Sequence, residues 1–172
     1  MATEGPIAIV LDSSVLINFL AVGRMDLFAP GPPSAYIVTG HVVGEVQDPE
    51  QQRTLREALT AGTLTEQNVA IDSPAGELFA RLTSERRLGV GECAAIAYAC
   101  TNHLTLAIDD KAARKAALRA CPDLTIIGSD DLMLMFIQAG RLDVDQADRI
   151  KQQWEQHHRF RLPFGSFRDK LA

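Results

Sequence analysis

Two apolar runs in this chain end on carboxylates. Asp12 closes Ile7-Ala8-Ile9-Val10-Leu11, and Asp109 with Asp110 closes Leu104-Thr105-Leu106-Ala107-Ile108. Runs of this kind read as strands buried on both faces, where a terminal carboxylate loses hydration without obvious return. Glu45 interrupts the mostly apolar stretch Val42-Val43-Gly44-Glu45-Val46, and Glu92 stands in the first turn of an alanine-rich segment opened by Gly89-Val90-Gly91. If these acids converge, neighbours about 5 Å apart repel by roughly 3 kcal/mol per pair at an effective dielectric of about 20. Such a cluster persists only when protons or a cation neutralise it. All-oxygen donors with little histidine favour Mg2+ or Mn2+ over zinc.

Each acid also has a plain structural reading. Glu92 suits the positive end of a helix dipole. Asp109 or Asp110 caps the helix that follows, and Glu45 alone is a solvated helix residue. Asp12 is the hardest to explain this way, because Ser13 or Ser14 is available to cap the next helix. The set is more specific than any member.

The elements that must position these residues alternate along the chain. The first strand leads into a hydroxyl-capped helix from Ser13 to Leu20, ending near Gly23. After the loop Pro30-Gly31-Pro32-Pro33 comes a strand at 36–38, then helical segments at 40–47 and 50–61, the latter ended by Gly62. Residues 64–71 are ambiguous, with a short edge strand as one reading. Helices are expected at 74–88 and 91–103, a strand at 104–108, and a helix at 111–120. A strand at 124–127, a helix capped by Ser129 and ending at Gly140, and a last helix at 143–158 complete the pattern. Short apolar strands alternating with helices predict a parallel α/β sheet with right-handed crossovers. In an open sheet of this type the functional edge lies at the carboxyl ends of the strands.

Composition narrows the alternatives. The chain has 172 residues, 47% hydrophobic and 23% charged, which suits one domain: a core at about 7–140, and a helix and tail at 141–172. A net charge of −5 argues against coating nucleic acid by bulk electrostatics, though bound cations would cancel an acid cluster locally. Cys93, Cys100 and Cys121 form no CxxC pair, and Cys93 and Cys100 share a helix face, so buried free thiols in a reducing compartment are expected. No segment reaches the roughly 18 apolar residues of a membrane span. The first six residues lack the basic start of a signal peptide, so the cytoplasm is the expected location.

Four blocks in order resemble the PIN-domain family, the fold of bacterial VapC-type toxin ribonucleases. They are Ile9-Val10-Leu11-Asp12-Ser13-Ser14-Val15-Leu16-Ile17, Val43-Gly44-Glu45-Val46, Gly89-Val90-Gly91-Glu92-Cys93-Ala94-Ala95-Ile96-Ala97, and Leu106-Ala107-Ile108-Asp109-Asp110-Lys111-Ala112-Ala113-Arg114. The resemblance spans about residues 7 to 140. It implies a three-layer α/β/α sandwich with a small, mainly parallel sheet, and Mg2+- or Mn2+-dependent cleavage of RNA. It further implies an antitoxin partner and a homodimer. Asp12, Glu45 and Glu92 match three of the family's acids. For the last, toxin-type members carry Thr-x-Asp, which aligns Asp110, while Ile108 replaces the threonine and Asp109 also stands available. Ser13 matches a hydroxyl position beside the first acid. Phosphodiester hydrolysis by cations held on carboxylates needs neither a histidine base nor a covalent nucleophile. Two other classes compete: a nucleic-acid-binding or adaptor domain with vestigial catalysis, and a metal-dependent hydrolase of small phosphoesters.

Further features carry weaker signals. Lys111, Arg114, Lys115 and Arg119 recur at helical spacing beside Asp110, either as a phosphate track or as a solvated face. His41, four residues before Glu45, is weak grounds for zinc. His103 is expected to terminate a helix. The tail from His157 to Arg168 interleaves bases and aromatics, with packing, together with Trp154, as its first reading and partner contact as the next.

Overall fold

The structure, a computed structural model, describes residues 7–31 and 34–171. The N-terminal stretch 1–6 and two prolines of the expected loop at 30–33 lie outside the described residues. Strand β1 (Ile7–Leu11) leads through α1 (Ser13–Ala21) and a 3-10 turn (Met25–Phe28) to β2 (Ser34–Thr39). Helices α2 (Gly40–Glu45) and α3 (Pro49–Thr60) precede β3 (Thr65–Gln67). Helices α4 (Pro74–Ser84) and α5 (Val90–Thr101) come before β4 (Thr105–Ala107), α6 (Lys111–Ala120) and β5 (Ile126–Ile127). Then follow α7 (Ser129–Gln138), α8 (Val144–His157) and the single turn α9 (Arg168–Leu171).

The strands form one sheet in the order β3-β2-β1-β4-β5, with every neighbouring pair parallel. This is the expected α/β class, a parallel sheet with helices on both faces. β1 is central, which is why its sequence is a continuous apolar run: Ile9, Val10 and Leu11 are wholly buried. The ambiguous segment after Gly62 supplies the edge strand β3.

The two faces are covered by different chemistry. On one, the edge-to-face rings of Phe19, Phe28, Tyr36, Phe136 and Trp154 lock α1, the 3-10 turn, β2, α7 and α8 together, with Phe19 4.9 Å from Phe28 and 5.2 Å from Trp154. Each such pair contributes about 0.5–1.5 kcal/mol beyond its burial. On the other, α5 lies against β1, β2 and β4. Its buried Ala94, Ala95, Ala97 and Ala99 let backbone approach backbone.

Several element ends depart from the sequence reading. α1 is capped by Asp12 itself, which accepts from the Ser14 N–H, so the serines are inside the helix. α4 stops at Ser84, four residues early, because Arg86 turns left-handed (φ 51°) and its N–H closes on the Thr83 carbonyl at 3.1 Å. α7 is capped at Gly128, whose N–H donates to Asp131, while the Ser129 hydroxyl is engaged elsewhere. α8 is not the last helix, since α9 follows. Two terminators behave as read: Gly62 (φ 72°) ends α3, and His103 (φ 53°) ends α5, with the Leu104 N–H returning to the Ala99 carbonyl at 3.0 Å.

The tail packs, in line with its first reading. Phe167 is fully buried, with its ring 5.0 Å from that of Phe164. The Ser166 hydroxyl and Phe167 N–H both donate to Asp148 of α8, at 2.6 and 2.8 Å. Cys93, Cys100 and Cys121 are free; the first two are buried and the third is half-buried.

Candidate active site

From β1 the chain steps to β2 on one side, then returns to β4 on the other, so the sheet's topological switch point lies between β1 and β4. Crevices outside the carboxyl ends of strands at such points are where open α/β sheets bind ligands. Asp12 leaves β1 at this point, and its N–H prolongs the ladder by donating to the Ala107 carbonyl of β4 at 3.0 Å. Its side chain is entirely buried. The Ser14 hydroxyl and N–H donate to Oδ2 at 2.6 and 3.2 Å, and the Ser13 hydroxyl lies 3.5 Å from Oδ1. Burial pushes the Asp12 carboxyl above the usual carboxylate range, the Ser14 and Ser13 hydrogen bonds oppose the rise, and the charge of Glu45 adds to it.

Glu45 arrives from the last residue of α2. Its Oε2 accepts from the Ser13 hydroxyl and its Oε1 from the Gly91 N–H at 2.7 Å. Gly91 leaves no room for a side chain, since a Cβ would overlap the Glu45 carboxylate. Glu92, in the first turn of α5, reaches back to the Gly89 N–H at 2.8 Å, closing half of a capping box. Burial raises its carboxyl, and the charges of Asp12, Asp110 and Glu45 raise it further. Asp110 is exposed and caps α6, accepting from the Ala113 N–H at 2.8 Å.

The two adjacent aspartates face different neighbours. Asp110 contributes to the field at Glu92. Asp109 turns the other way: its Oδ1 accepts from the Ser129 N–H at 2.8 Å, and its Oδ2 from the Ser129 hydroxyl at 2.7 Å and the Asn18 amide at 3.2 Å. Burial raises the Asp109 carboxyl, Ser129 and Arg114 oppose the rise, and Asp130 adds to it. The structure therefore brings Asp12, Glu45, Glu92 and Asp110 into one electrostatic neighbourhood and sets Asp109 in a brace joining β4, α1 and α7.

Arg114 corrects the expected basic face. Its Nε donates to the Ile108 carbonyl at 2.7 Å, so it pins α6 to the end of β4, while Lys111, Lys115 and Arg119 are exposed. The His41 ring lies against Phe79, 4.7 Å between centroids. Asn18, Gly91 and Gly128 carry no role in the sequence reading, and Ser129 enters it only as a helix cap. Asn18 had a signal: it is the one amide in the apolar stretch Val15-Leu16-Ile17-Asn18-Phe19-Leu20, and the backbone carbonyl of the same residue accepts from the Trp154 indole at 2.7 Å.

Among the described residues, no three His, Cys, Asp or Glu side chains are disposed as they stand to hold a metal ion. The reason is visible in their partners, since Glu45 is turned to Ser13 and Gly91, and Glu92 to Gly89. The donor chemistry nevertheless fits a hard divalent cation: four carboxylates, one of them wholly buried, with no lysine or arginine among the described residues bonded to any of them.

Comparison with known families finds a match that spans most of the chain. The DUF3368 family model, a PIN domain, matches residues 8–166, and the chain belongs to this family. Among solved structures it is similar to VapBC2 from Rickettsia felis bound to a DNA fragment from their promoter, at 14% identity and a TM-score of 0.48, over 71% of this chain and 98% of that one. It is also similar to FitAcB from Neisseria gonorrhoeae, at 17% identity and a TM-score of 0.41, over 70% of this chain and 97% of the other. Comparison with curated proteins finds no match. No helix among the described residues is long and apolar enough to cross a membrane.

Proposed function

We propose that this PIN-domain chain is a Mg2+- or Mn2+-dependent endoribonuclease, acting in the cytoplasm as the toxin half of a type II toxin–antitoxin pair and forming a homodimer. The observation that carries the reading is the meeting of the buried Asp12 with Glu45 at the switch point, where the Ser13 hydroxyl lies against both carboxylates and Gly91, next to Glu92, donates to Glu45. Asp12, Glu45, Glu92 and Asp110 would hold the cation. When bound, it supplies charge neutralisation for the phosphate and a water that ionises near neutral pH. Asp12 is oriented by Ser14, and Glu45 by the Ser13 hydroxyl and the Gly91 N–H. The Asp110 Oδ1 caps α6, leaving Oδ2 for the site. Asp109 acts through its neighbours, fixing α1 and α7 against the acid edge.

The side-chain directions favour one alternative, a PIN-like binding or adaptor protein with weak catalysis, because the acids as they stand close no shell. Purified protein on a mixed RNA pool separates the two. Cleavage that needs Mn2+, stops with EDTA and disappears in Asp12→Asn supports the nuclease. Binding without cleavage supports the adaptor, and turnover of small phosphoesters alone rejects both. For the toxin role, growth arrest on expression is the expected outcome, together with a small open reading frame beside the gene whose co-expression relieves it.

A further inference from the structure

We propose that the RNA strand leaves the acid edge along the exposed face of α6 and enters the cleft between α4 and α6, where Arg81 and Arg119 take its phosphates. This path rests on the ribonuclease reading and adds a direction and an anchoring subsite to it. Lys111 adjoins Asp110, Lys115 follows one turn on, and Arg119 another, all three exposed. From Lys111 to Arg119 the helix advances about 12 Å, the reach of a few nucleotides. At its far end Arg119 lines a cleft of about 290 Å3 with Arg81 from α4, floored by Leu82, Ala116 and Ala120.

The position of the cations, together with their pairing, marks this route. Among the described residues Arg24, Arg53, Lys151 and Arg168 are ion-paired, and Arg114 and Arg141 are bonded to backbone carbonyls. Arg81, Lys111, Lys115 and Arg119 have no such partner among those residues; other lysines and arginines share that state, but these four run from Asp110 along α6 into one cleft. In a chain of net charge −5, four cations outside any ion pair, in line with an acid cluster, form a lane for a polyanion. Glu85 is the one acid among the residues that line the cleft. A second cleft, lined by Arg53, Arg56 and Glu57, has Arg53 tied to Glu50 and serves as the control.

The test uses the full chain carrying Asp12→Asn, in Mg2+, with a labelled oligouridylate of about twelve nucleotides. Arg81→Glu with Arg119→Glu should weaken binding at least tenfold and reduce the slope of log affinity against log salt by about 0.7 for each phosphate left without its cation. Arg53→Glu with Arg56→Glu should change affinity less than twofold. The milder Arg81→Ala with Arg119→Ala, checked by its melting temperature, should shift the slope the same way without charge reversal. Unchanged affinity and slope in both variants of the Arg81–Arg119 pair would overturn the path while leaving RNA cleavage by the wild-type chain standing. Failure of the oligouridylate to bind either the Asp12→Asn parent or the wild-type chain in EDTA would remove the path, and the RNA reading falls with it only if the wild-type chain also fails to cleave the RNA pool.

Discussion

At the scale of single residues, the site depends on small groups that hold large ones. The Ser13 hydroxyl and the Gly91 N–H fix the two oxygens of Glu45. Ser13→Ala is expected to lower metal-dependent cleavage by about 10- to 100-fold, the usual cost of removing a group that orients a ligand, with little change in melting temperature. Gly91→Ala should do similar damage by another route, because its Cβ occupies the space of the Glu45 carboxylate. A rate equal to wild type in Gly91→Ala would mean that Glu45 is not needed where it stands. Cys100 offers a check on the core. Burial, with the Cys121 sulfur beside it, pushes its thiol up to about 12. At pH 8 only about one molecule in ten thousand then carries the reactive thiolate. Thiol titration of the folded protein should leave Cys100 unmodified until denaturant is added.

At the scale of elements, helix beginnings do two jobs. Asp12 and Asp110 satisfy backbone N–H groups in the first turn of α1 and α6, and Glu92 that of Gly89, the residue that caps α5, while all three belong to the proposed site. Asp110→Ala should therefore cost about 1 kcal/mol of stability from the missing cap, seen as a fall of about 2–4 °C in melting temperature, together with loss of cleavage. Gly76→Ala separates the two effects. Its Cβ would run into the backbone carbonyls of Ala70 and Ile71 ahead of α4, so we expect a cost of about 1–3 kcal/mol with cleavage per folded molecule retained. The same double use explains what the sequence could and could not reveal. The central strand, the alanine-rich helix and α6 were legible from apolar period and spacing. Asp12 was not recognisable as a cap, because two serines beside it carried the same signal. The end of α4 was hidden because Arg86 adopts a conformation usually left to glycine. Asp109 and Asp110 were indistinguishable in sequence, since their difference lies in hydrogen bonds with Asn18 and Ser129, which are 91 and 20 residues distant.

At the scale of the whole molecule, acids gathered at one edge and left without cationic partners oppose one another in the folded chain. Metal that binds the folded state alone stabilises it by RT ln(1 + [L]/Kd), about 2.7 kcal/mol at a hundred times Kd. Melting at neutral pH should rise with added Mn2+ in the wild-type chain and stay flat in Asp12→Asn. A flat response in both would count against the metal site. The brace that supports this edge reaches far along the chain. Trp154 on α8 donates to the carbonyl of Asn18, whose amide donates to Asp109. Trp154 is also the only tryptophan, fully buried with its ring edge-on to Phe19. The molecule thus contains a single intrinsic indole fluorophore one residue removed from its site. Its emission maximum and quenching report, without any label, whether the last long helix has closed on the first. Asp109→Asn, by loosening Asn18, should redden that emission before the chain unfolds.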